Sequence, residues 1–139
     1  MKLKDVPRIK RFGRGDRLHV QAQHVWLILV AFVMHCDRNP RRPSTMTYGD
    51  LAEAMGYDSR KAGITLARQL GIVGEYCKAN GLPPLNTIVV NQITGMPGSE
   101  VVLREGHTVR QEQAAVMRED WSGYRVPTTG TFRKVLAAL

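Results

Sequence analysis

Cysteine is scarce in this chain: Cys36 and Cys77 are the only two. They show no CxxC spacing, and His19, His24, His35 and His107 form no metal-ligand pattern with them. The pattern argues against a metal centre and for two buried free thiols in a reducing cytosol. No metal and no cofactor is expected. Long apolar runs are missing too. The longest, "VWLILVAFVM" from Val25 to Met34, is too short to span a bilayer, which needs about 20 apolar residues. It lies well inside the chain without a small-residue cleavage pattern behind it, unlike a signal peptide. A central buried helix, a cytoplasmic location and no membrane partner are the expectations. Internal repeats and low-complexity segments are also lacking.

Acidic residues are the other shortage, 12 Asp and Glu against 20 Lys and Arg, for a net charge of +8. The excess is unevenly placed. Through Arg42 there are ten basic residues and three acidic ones, a balance of +7, and everything after Arg42 adds only +1. A basic end on a near-neutral body suits a polyanionic partner, because clustered cations raise the local potential and release counterions from phosphates. Solubility alone is the competing explanation.

What remains is the material of one domain. At 139 residues and 43% apolar content, the chain is long enough for a single core and too apolar for disorder throughout. Residues 1–17, "MKLKDVPRIKRFGRGDR", read as a flexible basic arm. Residues 18–139 read as one winged-helix-like domain with a C-terminal helical extension. A helix is predicted from Leu18 to Cys36, stopped by "DRNPRRPST". Thr47 with Asp50 three residues on forms a capping-box pattern, opening a short helix that ends at Gly56. Asp58 or Ser59 caps the next helix, in which Ala62, Leu66, Leu70, Val73 and Cys77 recur on one face. Lys61, Thr65 and Arg68 fall on the other. Gly71 and Gly74 each weaken this helix by roughly 1 kcal/mol relative to alanine, which marks a break point. "NTIVVN" (Asn86 to Asn91) and "EVVL" (Glu100 to Leu103) read as two strands of a hairpin around Gly95, Pro97 and Gly98. Further helices are expected from Val109 to Glu119 and from Thr131 onward.

The fold class expected is mostly α with a small β-hairpin. Two short-connected helices followed by a hairpin is the element order of a winged helix-turn-helix, whose second helix enters the major groove while the wing touches the backbone. Order alone does not establish function, since similar folds bind proteins or are purely structural.

Three short motifs sharpen the reading: "TYGDLA" from Thr47 to Ala52, "RKAG" from Arg60 to Gly63, and "NGLP" from Asn80 to Pro83 leading into a strand. Together they resemble the DNA-binding domain of alkylguanine-DNA alkyltransferases and their catalytically inactive alkyltransferase-like relatives, over roughly residues 25 to 98. The resemblance implies that Tyr48 presses on the phosphate of a target nucleotide. It also implies that Arg60 enters the base stack in place of a flipped base, and that Gly63 permits close backbone approach. The departures are equally specific. The Pro-Cys-His-Arg motif of the family is absent, the corresponding strand is "TIVVN", and neither cysteine lies near it. Alkyl transfer is therefore not expected. The segment from Gly63 to Asn80 is also longer than the family's by about three helical turns.

Three functions follow as alternatives. A non-enzymatic DNA-binding module would use Tyr48, Arg60, Lys61, Thr65 and Arg68 with the cations Lys10, Arg11, Arg14, Arg41 and Arg42, on duplex DNA and with a preference for modified or distorted sites. An enzyme acting on DNA would need a pocket with a general base. Asp50, Glu53, Asp58, His107 and Asp120 are its candidates, but no two stand at an interpretable spacing. A basic protein-interaction or inhibitor module is the third. Each singled-out residue also has a plain role: Tyr48 as a half-buried aromatic, Arg60 as a solvated first-turn cation, and the Lys61, Thr65 and Arg68 face as ordinary helix surface.

Overall fold

The computed structural model describes residues 1–58 and 62–139, with side chains in the third helix described from residue 65 onward. Five α-helices and one two-stranded sheet stand among the described residues. They are α1 (Leu18–His35), β1 (Met46–Thr47), α2 (Tyr48–Met55), α3 (Ala62–Ala79), β2 (Val89–Val90), α4 (Val109–Arg118) and α5 (Thr129–Ala137), with 3-10 turns at Leu3–Asp5, Leu85–Ile88 and Trp121–Gly123. The mostly helical class is as expected.

Helix α1 is the central element. Its length and apolar composition would suffice to cross a membrane, but it packs against α3 and α5 and touches α2. Ala22, Val25, Trp26, Leu29 and Val33 form its buried stripe, the helical spacing of one face. Trp26 sits edge-on to Tyr76 of α3 at 5.5 Å and to Trp121 at 5.7 Å, with Phe132 of α5 tilted at 6.4 Å. Such pairs are worth about 0.5–1.5 kcal/mol each beyond the area they bury, so this cluster joins α1, α3, α5 and the Trp121 turn. The Trp121 indole N–H donates to the Val116 carbonyl at 2.9 Å, which satisfies its one polar atom inside the core.

The capping signals act as the sequence indicates. Thr47 Oγ1 accepts from the Asp50 N–H and the Asp50 carboxylate accepts from the Thr47 N–H, each at 3.0 Å. Gly56 closes α2 in the left-handed region at φ 81°, where a side chain would be strained. Thr108 and Gln111 make the same reciprocal box at the start of α4. Thr128 caps α5, which starts two residues before the expected Thr131.

Two expectations need correction. Helix α3 does not break at its glycines and runs unbroken to Ala79. Its glycines serve packing. A Cβ on Gly74 would lie 2.4 Å from Asn86 Nδ2, whereas one on Gly71 would meet Glu100 Cβ at an ordinary 3.9 Å. The hairpin does not form either. Leu85–Ile88 is a 3-10 turn, Glu100–Leu103 is in no strand, and Val89–Val90 pairs in parallel with Met46–Thr47 in the register Met46↔Val89 and Thr47↔Val90. A β-branched run signals extended chain without naming its partner. Burial decides the pairing: Leu85 to Val90 are all buried. Asn86 Nδ2 donates to the Leu70 carbonyl of α3 at 3.0 Å, and Gln113 Nε2 of α4 donates to the Thr87 carbonyl at 2.9 Å. Residues 85–90 are thus threaded through the core, where an exposed wing could not be.

Candidate nucleic-acid interface

On α3, Leu66, Leu70, Val73 and Cys77 are buried as the periodicity requires, while Thr65 and Arg68 are exposed on the opposite side. Arg60 and Lys61 lie outside the described residues, as do Ser59 and the side-chain surroundings of Ala62 and Gly63. At about 100° per residue, Thr65 and Arg68 occupy an arc bounded by Gln69 on one side and Gly71 on the other. Both boundary residues are in contact with other parts of the chain.

On the Gln69 side stands the basic arm. Gln69 Nε2 donates to Gln21 Oε1, and Gln21 Nε2 donates to the Asp16 carbonyl at 2.8 Å and the Arg14 carbonyl at 3.3 Å. The Arg14 guanidinium lies over the Tyr57 ring, 5.7 Å from its centroid. Tyr57 belongs to the turn between α2 and α3, so the arm meets the helix-turn-helix at its corner. Asp16 Oδ2 accepts from the Gly13 N–H at 2.7 Å, and Phe12 stacks on His24 of α1 at 4.1 Å. Burial, the largest influence, holds His24 below the ordinary imidazole value against an opposing pull from Asp16. Residues 12–17 are therefore docked, with residues 1–11 exposed beyond them. Lys10 and Arg11 edge a cavity of about 370 Å³ that Phe12, Asp16 and Gln23 also line.

On the Gly71 side stands the segment around Glu100. Tyr48 is buried at 8% exposure. Its hydroxyl donates to Glu100 Oε1 and accepts the Gly98 N–H at 2.7 Å. Burial first, then the bond to Glu100, push its phenol well above the usual tyrosine range. Tyr48 thus holds the chain at residues 98–100 against the start of α2, and a phosphate contact through this hydroxyl would require those bonds to open.

Arg41 and Arg42 are exposed in the loop before β1. Sequence reasoning missed two arginines associated with that loop. Arg110 Nη2 donates to the Arg41 carbonyl at 3.0 Å and adds a third guanidinium there. Arg38, at φ 52°, sends Nε to the Met117 carbonyl at 3.2 Å and Nη2 to the Glu119 carbonyl at 2.8 Å, capping the end of α4. These partners are far apart in sequence, and no local signal announces them.

The residues weighed for catalysis are engaged structurally where their contacts are described. Asp50 is a helix cap, and Asp120 accepts from Ser122. His107 does find a carboxylate, but it is Glu112, which is fully buried. Glu112 takes the Arg104 backbone N–H at 2.9 Å, its guanidinium at 2.7 Å and His107 Nδ1 at 2.8 Å. Burial raises the Glu112 carboxyl, but these donors outweigh it and leave the group below its ordinary value. A carboxylate so fully bonded anchors the 104–107 loop to α4. Among the described residues no group of three or more His, Cys, Asp or Glu is arranged to hold a metal ion. Comparison of the chain with protein-family models, curated proteins and solved structures finds no match.

Proposed function

We propose that this is a cytoplasmic, non-enzymatic DNA-binding protein that lays the exposed face of α3 in the major groove of a duplex and runs its basic arm along the neighbouring backbone. The observation that carries the reading is the flanking of Thr65 and Arg68 by the arm, through Arg14 on Tyr57 and Gln21 on Gln69. Groove-reading helices with adjoining cationic arms share this division of labour, the helix touching bases and the arm touching phosphates. The arrangement is winged-helix-like in that the uncharged loop of residues 91–98 stands where a wing would, anchored beside α3. Arg60, at the head of α3, is the residue that the resemblance to alkyltransferase-like proteins singles out for a modified or distorted base.

The test is binding of the full chain to a fluorescent duplex at two salt concentrations. Arg68→Ala should weaken binding by about 1–3 kcal/mol if the guanidinium reads a base edge, with stability changed by no more than about 0.5 kcal/mol. Leu66→Ala should instead cost about 2–5 kcal/mol of stability. Absence of duplex binding by the parent protein at low salt would refute the reading.

A further inference from the structure

The loop of residues 91–98 carries no charge, in a protein of net charge +8. At its tip Ile93 is 94% exposed and Met96 50%. Single exposed apolar residues are common, so the exposure matters only because of how this one is held. Asn91 N–H donates to the Met96 carbonyl and Gly95 N–H to the Asn91 carbonyl, each at 2.8 Å. Asn91 Oδ1 accepts from the N–H groups of Ile93 at 2.8 Å and Thr94 at 3.2 Å. Gly95 takes the left-handed conformation at φ 69° that the tight turn requires. The foot of the loop is fixed twice, by the Gly98 N–H on the Tyr48 hydroxyl and by Glu100 beside Gly71. Ile93 is thus presented outward on a closed loop, next to the α3 face that bears Arg68.

We infer that this loop is a wedge that inserts Ile93 between stacked base pairs of duplex DNA beside α3, with Met96 against the sugar edge. The inference rests on the DNA-binding reading proposed above and adds the manner of engagement. Proteins that bend DNA insert apolar side chains such as isoleucine and methionine at base steps, and so bring more of a basic surface onto the backbone. The charge distribution fits this occupant. An uncharged apolar tip enters the stack, where a lysine or arginine would have to leave its phosphates, while the cations of the arm supply the attraction. Deformation favours flexible pyrimidine–purine steps, so the wedge selects deformable sites without reading base edges.

The experiment uses the full chain and a duplex labelled at both ends for energy transfer, together with duplexes carrying 2-aminopurine at a central TA step. The parent should shorten the end-to-end distance and raise 2-aminopurine fluorescence. Ile93→Ser should bind severalfold more weakly and abolish both signals, while its melting temperature and its salt slope match the parent's, since no charge or buried atom is removed. Met96→Ala should fall between the two. A parent that binds without bending or unstacking, or an Ile93→Ser variant that bends and unstacks like the parent, overturns the wedge and leaves the DNA-binding reading standing. Failure of the parent to bind duplex overturns both. Loss of binding to anionic vesicles or to a protein partner in Ile93→Ser, with duplex binding and bending unchanged, also overturns the wedge.

Discussion

The two thiols show how one residue type takes different chemistry from its surroundings. Cys77 lies on the buried stripe of α3, and burial pushes its thiol up to about 12. Cys36 directly follows α1, is half-buried, and has its Sγ 3.8 Å from the sulfur of Met117. Because a thiolate is the reactive form, Cys36 should label quickly with a maleimide in the native protein and Cys77 only after unfolding. The sign of the linkage follows from the raised value. The unfolded thiol ionises from about 9 upward and the folded one only near 12, so Cys77 contributes stability that is lost as pH rises through this window. Glu112 works in the opposite direction. Its carboxyl is held below the ordinary 4.5, so its contribution is present above that value and disappears as pH falls below it. Glu112→Gln should cost roughly 1–3 kcal/mol near neutral pH, the range for a charge-assisted hydrogen bond, reduced because Arg104 is partly exposed. Acid titration of the variant should then show a smaller loss than the parent's, as followed by urea midpoints at several pH values.

At the scale of elements, the two glycines of α3 make opposed forecasts from the same local chemistry. Alanine is the better helix former by roughly 0.5–1 kcal/mol. At Gly71 an added Cβ finds ordinary contact, so Gly71→Ala should be neutral or stabilising by up to about 1 kcal/mol. At Gly74 it collides with the Asn86 amide that bonds the Leu70 carbonyl. Gly74→Ala should therefore destabilise by about 1–3 kcal/mol, as overpacking does. Equal melting temperatures for the two variants would contradict this account. The glycines also show why α3 was only partly legible. Propensity correctly marked its weak points, but what holds them together is Asn86, twelve residues after Gly74 and across a Pro-Pro stop. Capping boxes and helical stripes were readable because their partners are three or four residues apart. The parallel pairing of Val89–Val90 with Met46–Thr47 was not, because extended β-branched chain fits either partner and the selection is made by burial. The candidate site divides the same way. Leu66 inward and Arg68 outward follow from periodicity, whereas the docking of Arg14 on Tyr57 and the attachment of Tyr48 to Glu100 join segments that no local pattern connects.

At the scale of the whole molecule, the charge asymmetry and the fold combine to set how the protein should respond to salt. The arm has two parts. Residues 12–17 are tied to α1, α3 and the α2–α3 turn, whereas Lys2, Lys4, Arg8, Lys10 and Arg11 are exposed beyond them. Deleting the whole arm would remove Phe12 from His24 and Arg14 from Tyr57, and so confuse stability with binding. Replacing only those five cations by alanine leaves the docked part intact. The melting temperature should then hold, since surface substitutions usually stay within about 0.5 kcal/mol. Duplex affinity should fall on all sequences alike, because phosphate contacts position without specifying. The slope of log affinity against log salt should flatten by about 0.9 for each phosphate that the variant no longer neutralises. Arg68→Ala should differ in kind, lowering affinity most on preferred sequences. If the five-alanine variant keeps both the parent's affinity and its slope, the arm's charge serves solubility, and α3 must hold DNA without it.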